Sequence, residues 1–312
     1  MTTMACAAGV DVGRDWLDVA VAPAGRAFRA PNAPAGLAVV TARLKRAGVT
    51  RVVLESIGTY GTPLVRALAR AGFQVGVVDP RRVKALRLAE GRRAKTDRLD
   101  AALIARFALI MTDVARPLPS AEAMEIRALS TRRRQVVELA AMEKTRLKQA
   151  LDEDIAASCR RLIAGLEAER ARVEALLETR LAADPANRHR AELLRTIPGV
   201  GPAVITTLLA DLPELGTLDR RSVASLTGLA PHPDQSGTRT GRAHIGGGRS
   251  CVRTALYMAA LSASRSDRGL KREYKALREA GKPAKVALTA IARRLAVAAN
   301  SMIKADQPWN HA

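Results

Sequence analysis

AGVDVGRDWLDVAVAPAGRAFR, residues 8–29, decides how the first third of this chain folds. Apolar and polar positions alternate along it around turn signals, which predicts two or three consecutive antiparallel strands. Working outward, PAGLAVVTARLKRAG (34–48) has helical spacing and ends on a glycine. RVVLES (51–56) then reads as a buried strand, TPLVRALARAG (62–72) as a helix opened by proline, and FQVGVVDP (73–80) as a further strand. A last helix begins near KTDRLDAALIARFALI (95–110). The order strand-strand-strand-helix-strand-helix-strand-helix is that of an RNase H-like α/β domain, expected over residues 1–117.

The 312 residues carry 51 Lys and Arg against 30 Asp and Glu, a net charge of +21. That excess favours a polyanionic partner, nucleic acid being the common one. Aromatics at 3% argue against gripping single strands by base stacking, so contacts to backbone phosphate are the better expectation. Three scattered cysteines and four scattered histidines exclude a disulfide framework and a zinc cluster. A secretory leader is not expected, nor an apolar run approaching the roughly 18 residues of a membrane span, and the expected location is the cytoplasm.

Residues 118–190 lack strand signals and are rich in Arg, Glu, Ala and Leu. Leu147, Leu151 and Ile155 fall at helical spacing, as do Leu162, Leu166, Val173 and Leu177. This predicts a long helical connector, a coiled coil or a helical hairpin, with an intrachain pair and an oligomer seam equally open. Residues 191–312 read as a mainly α domain. In it Pro198-Gly199-Val200-Gly201-Pro202 separates two apolar helical runs and resembles a helix-hairpin-helix. Gly199 and Gly201 there are candidate nucleic-acid contacts through backbone N–H groups at a helix N-terminus, and a plain tight turn is the competing reading. The segment PHPDQSGTRTGRAHIGGGR (231–249) reads as a flexible basic loop, with helices following from Cys251 to about Lys304.

Four acids suggest chemistry. Asp11 lies inside the first strand, Glu55 closes RVVLES, and Asp97 and Asp100 share one face at the start of a helix. Taken singly, each has a structural explanation. Asp97 suits a helix N-terminus, Asp100 can pair with Arg93 or Lys95, and Glu55 can be a surface strand end. Asp11, an acid in an apolar strand, needs a partner. Gathered at one end of a sheet, the four would repel one another unless cations neutralise them, and hard divalent ions favour oxygen ligands. Two such ions suit phosphoryl transfer.

The stretches GVDVGRDWLDVAV, ESIGTYG, KTDRLDAALIA, IPGVGPAVITTLLADL, GLAPHPDQSGTRTGRAHIGGGRSCVRTALYMAAL and YKALREAGKPAKVALTAIARRL run nearly the length of the chain. In their order and content they resemble transposases of the insertion-sequence 110 family, the Piv/MooV-like group. The resemblance implies a RuvC-like domain whose Asp11, Glu55, Asp97 and Asp100 coordinate Mg²⁺. It implies Ser236 as the nucleophile that joins covalently to DNA, in a homo-oligomer (dimer or tetramer). It also implies recombination of donor and target DNA guided by a noncoding RNA from the element's own end. Arg239, Arg242, Arg249 and Arg253 then become candidate phosphate contacts around the serine. Asp234, His232 and His244 are candidates for a base near it, with metal at the tetrad as the preferred alternative.

Two rivals stand beside this reading. One is a RuvC-like junction nuclease that uses activated water, with Ser236 only binding phosphate. The other is a non-catalytic nucleic-acid-binding protein whose acids are salt-bridged. A P-loop ATPase is not expected, because the glycine-rich loop lacks the required lysine and hydroxyl pair.

Overall fold

A computed structural model describes residues 6–55, 60–91, 96–111, 120–236, 239–241 and 243–310. The chain divides into two compact units, Met1–Leu118 and Pro119–Ala312.

The first unit runs β1 (Ala7–Val12), β2 (Trp16–Ala22), β3 (Arg26–Pro31), α1 (Pro34–Arg46), β4 (Arg51–Glu55), α2 (Thr62–Arg70), β5 (Gln74–Val78), α3 (Pro80–Ala89) and α4 (Asp97–Ile110). Its five-stranded sheet has the order β3-β2-β1-β4-β5. The three strands expected from residues 8–29 form a meander, β1 antiparallel to β2 and β2 to β3, while β4 and β5 run parallel to β1. Helix α3 was not foreseen. Its opening Asp79-Pro80 reads from sequence as the end of a strand, but Asp79 is an N-cap that accepts from Arg81 N, with proline at the first helical position.

Strand alternation sorts the two faces. Val10, Val12, Leu17, Val19, Val52 and Leu54 pack with Val40 and Leu44 of α1 and Leu64 and Leu68 of α2. The opposite face is lined with small residues and carries α4: Ala20 and Ala22 cluster with Ala101 and Ala105. The closest approach is at Gly9, where a Cβ would lie 2.1 Å from Ala105 N and 2.5 Å from Ala101 O. Both are backbone atoms, so a side chain there cannot be absorbed by a rotamer change. Gly9→Ala is therefore expected to push α4 off the sheet, at a cost of about 3 kcal/mol, the upper end for overpacking. Thermal denaturation should read this as a loss of roughly 10 °C in the unit's transition. An unchanged melting temperature would show that α4 does not dock this tightly.

The second unit contains α5 (Ala121–Gln149), α6 (Glu153–Ala183), α7 (Pro185–Arg195), α8 (Pro202–Asp211), α9 (Arg220–Leu226), β6 (Pro231–His232), β7 (Gln235–Ser236), β8 (Arg239–Thr240), β9 (His244–Ile245), α10 (Ser250–Ser266), α11 (Arg268–Glu279) and α12 (Ala284–Ala305). Helices α5 and α6 form an antiparallel hairpin, as the ion pairs Arg180–Glu125, Arg133–Glu174 and Lys144–Glu167 run in opposite directions along the two. The apparent stripe Leu147, Leu151, Ile155 is not one helix face. The chain turns at Ala150–Asp152, where Asp152 caps α6, and Leu151 is fully exposed in the turn. The hairpin packs on α7 and α8 within the same unit. A buried joint fixes it there: Asp211, at the end of α8, accepts from Ser130 Oγ at 2.9 Å and from Arg134 Nη1 at 2.5 Å.

The core of this unit gathers Leu208 of α8, Leu256 and Ala260 of α10 and Ile291 and Leu295 of α12. Helix α12 is long and apolar enough to cross a membrane by length and composition alone. Half of that window is buried inside this core.

Candidate active site

Register places the acids of the first unit in a row. Asp11 of β1 lies opposite Asp18 of β2, and Asp18 lies opposite Arg29 of β3. Val10 pairs with Leu54 in the parallel β1–β4 ladder, so Glu55 is the next rung beside Asp11. Helix α4 brings the remaining two. Its Ala101 and Ala105 sit over Gly9. Asp97 starts about 6 Å before Ala101 along the helix axis. Asp11 lies about 6.6 Å beyond Gly9 along the strand, on the same face. The helix N-terminus therefore arrives at the sheet edge where Asp11 projects. Thr96 caps it, accepting from Leu99 N.

The electrostatics register this convergence. Burial and the carboxylates of Asp100, Asp97, Glu55 and Asp18, in that order of size, push the Asp11 carboxyl up to about 6. Among the described residues Asp11 itself has no hydrogen-bond or ion-pair partner. The neighbouring acids do. Arg87 of α3 reaches the buried Asp100 at 2.5 Å, where sequence suggested Arg93 or Lys95, which lie outside the described residues. Arg29 reaches Asp97 at 3.1 Å while holding the buried Asp18 with Nε at 3.1 Å and Nη2 at 2.7 Å. With Asp97 and Asp100 drawn to arginines, no three acids among the described residues stand as a ready-made metal cage. The donor set nevertheless fits a hard divalent ion: oxygen ligands only, mutually repulsive, one of them with no cation of its own.

The serine segment belongs to the second unit and is a β-hairpin rather than a flexible loop. At its base Pro231 pairs with Ile245 and His232 with His244, the two imidazole rings 6.1 Å apart. Gly241 N then donates to Asp234 O at 2.7 Å, and Gln235–Thr240 and Ser236–Arg239 close the ladder. Ser236 is exposed, on the rung that it forms with Arg239. The imidazoles of His232 and His244 thus belong to one two-stranded ladder and the hydroxyl to another. Arg242 lies outside the described residues, and Arg239 is placed by its backbone pairing.

Arg249 and Arg253, expected to face phosphate, make contacts within the protein. Arg249 grips Glu214 through Nη1 at 2.5 Å and Nη2 at 2.6 Å and also donates to Asp211 O. Arg253 donates to Gly247 O at 2.8 Å. Gly248 packs so closely on Gly228 that a Cβ would meet its N at 2.3 Å. Together these contacts lock the foot of the hairpin onto the helices. Gly199 likewise has a packing reason: at φ +76° it lies under α10, where a Cβ would meet Ala259 O at 2.3 Å. Gly201 is exposed at the N-cap of α8 with open space around it.

Comparison with known proteins gives the class: a family model described as "Transposase" matches residues 8–154. A second, described as "Transposase IS116/IS110/IS902 family", matches residues 191–275, and the chain belongs to the IS110 family of transposases. It is similar to the pilin gene-inverting protein of Moraxella bovis, 27% identical over 263 residues that span 83% of this chain and 81% of the relative. The pilin gene-inverting protein of Moraxella lacunata is 26% identical over the same shares. The chain is thus a DNA recombination enzyme.

Proposed function

We propose that the protein is the transposase of an insertion sequence that cleaves and rejoins DNA by transesterification, with Ser236 as nucleophile and Asp11, Glu55, Asp97 and Asp100 holding Mg²⁺. The observation that carries this reading is Asp11, half-buried, without a partner among the described residues, and surrounded by four carboxylates that push it up to about 6. A fold that tolerates such repulsion gains nothing from it unless a cation is bound in use. The order β3-β2-β1-β4-β5, with acids on the central strands and on the helix across them, supports a RuvC-like reading of this unit.

Ser236 Oγ attacks phosphorus; as the serine–phosphate ester forms, the bond to the departing strand oxygen breaks and that oxygen takes up a proton. Reversal with a different strand end rejoins the DNA without net hydrolysis. A bound divalent ion supplies charge neutralisation for the attacking and departing oxygens. The protein's part is to hold the carboxylates together and to present the hydroxyl on a hairpin whose foot is fixed by Arg249 and Arg253. In this reading Arg239 and Arg242 contact backbone phosphate, as do the amides near Gly201. The partners are donor and target DNA and a noncoding guide RNA, and the protein works as a homo-oligomer.

The ion pairs Arg87–Asp100 and Arg29–Asp97 favour the rival in which the acids are structural. Chelation separates the two readings. Cleavage of DNA carrying the element's ends should stop in excess EDTA and return with Mg²⁺ or Mn²⁺. Cleavage that persists in EDTA removes the metal site from the reaction.

A further inference from the structure

The pair Asp18–Arg29 was not singled out by sequence, and the reaction as described above does not use it. It is built at some cost. Asp18 is 4% exposed, on a central strand, and its carboxylate is saturated by one guanidinium: Nε to Oδ1 and Oδ2 at 3.1 Å each, and Nη2 to Oδ2 at 2.7 Å. Burying a carboxylate beneath a half-exposed arginine is a poor source of stability, since packed apolar residues commonly do as well or better. The neighbouring positions on this face are Ala20 and Ala22. Packing alone does not account for an aspartate and an arginine here.

The pair's placement supplies a reason. Arg29 stands two strands from Asp11, a separation of about 10 Å, and Nη2 already touches Asp97. With Nε and Nη2 committed to Asp18, the guanidinium plane is fixed, and the Trp16 ring lies 6.0 Å away against it. Nη1 has no partner among the described residues, and the side chain is 42% exposed at the same edge as the acids. A planar cation held by a buried carboxylate, with an N–H edge that has no partner among the described residues, is suited to an anion that carries transient extra charge.

We propose that Arg29, locked by Asp18, is a catalytic residue that contacts the scissile phosphate and stabilises the charge developing on its non-bridging oxygens. The inference rests on the reading of Asp11, Glu55, Asp97 and Asp100 as the reaction site. When Asp97 is drawn into holding a cation, Arg29 keeps Asp18 and offers Nη1 to the phosphate. Arg87 is unsuited to this part, because it is 19% exposed and held on Asp100.

The test is the double variant Asp18→Asn with Arg29→Gln, which removes both charges together and leaves no buried ion unpaired. Arg29→Lys is made alongside, keeping the charge without the fork. Single-turnover recombination is measured on DNA carrying the element's two ends, with the element's own noncoding RNA. In parallel, Mn²⁺ affinity is taken from calorimetric titration and duplex affinity from anisotropy. The double variant should lose about 10²- to 10³-fold in rate and keep its Mn²⁺ and duplex affinities, with Arg29→Lys recovering part of the rate. Wild-type rate in the folded double variant overturns the proposal. So does a matching loss of Mn²⁺ affinity, which would make Arg29 a positioning residue for the acids. Asp97→Asn serves as the reference: if it too recombines normally, the metal-site reading itself has failed, whereas an inactive Asp97→Asn beside an active double variant sinks only the role of Arg29.

Discussion

Ser236→Ala is expected to abolish the denaturant-stable protein–DNA adduct and to lower recombination by at least about 10⁴-fold, the scale seen when a covalent nucleophile is removed. The expectation rests on how little else the hydroxyl does. Ser236 is exposed, and its place in the hairpin is set by the backbone pairing with Arg239. The hairpin's foot is secured elsewhere, by Arg249 on Glu214, by Arg253 on Gly247 and by the Gly228–Gly248 contact. Loss of one exposed oxygen should therefore leave melting temperature and duplex affinity unchanged, so that a fall in rate reports chemistry rather than folding. Two outcomes are decisive against the assignment. An adduct that survives in Ser236→Ala places the nucleophile on another residue. A wild-type enzyme that forms no adduct and releases hydrolysed ends is the water-using nuclease, with Ser236 a phosphate contact at most.

Much of the first unit was legible because strands and helices advertise themselves by period. The alternation in residues 8–29 fixed both the meander and the side of the sheet on which Asp11 lies. What single-sequence reading lacked was register. Asp18 occupies the same alternation as Asp11, yet only the β1–β2 pairing puts the two opposite each other, and only β2–β3 supplies Arg29. In sequence the acids stand out as a set of four, and the buried fifth, Asp18, does not. Helix α3 was lost for a local reason: Asp-Pro signals a strand ending and a helix beginning equally well, and PRRVKALRLA buries only Val83.

In the second unit abundance leaves the signal double. With 51 basic residues in the chain, arginines beside a serine read naturally as phosphate contacts. The partner of Arg249 is Glu214, 35 positions earlier and reached only because α8 and α10 pack together. Gly199 gave an equally double signal, since a phosphate cradle and a close helix approach both exclude a side chain; here Ala259 and Ala263 provide the approach. The heptad-like Leu147, Leu151, Ile155 failed because a three-residue turn preserves the spacing while breaking the helix.

Asp11→Asn should do two opposite things: end recombination and stabilise the metal-free protein. An aspartate whose carboxyl rises from an ordinary 3.8 to about 6 on folding holds its proton more tightly in the native state. The folded protein binds more protons than the unfolded chain between those values, so native stability falls as pH rises from about 4 to about 6 and stays low above. A shift of about two units corresponds to about 3 kcal/mol for a fully buried group. Asp11 is only half-buried, and screening by solvent reduces this to about 1 kcal/mol. Asparagine keeps the shape without the charge. Denaturant unfolding in EDTA should therefore find the variant more stable than wild type at pH 8, equal to it near pH 4, and flatter between. Divalent metal should reverse the order: at pH 8, Mg²⁺ or Mn²⁺ raises the melting temperature of wild type, where the ionised carboxylates gain a cation, and leaves the variant nearly unmoved. At pH 5, where Asp11 is largely protonated, the metal effect on wild type should shrink. Recombination by Asp11→Asn should fall by about 10³-fold or more, since a stabilised, folded protein has lost the group that the repulsion among the acids was maintaining. A variant less stable than wild type at pH 8 without metal would show that Asp11 is neutralised within the protein, and the reading of the row as a metal site would lose its principal support.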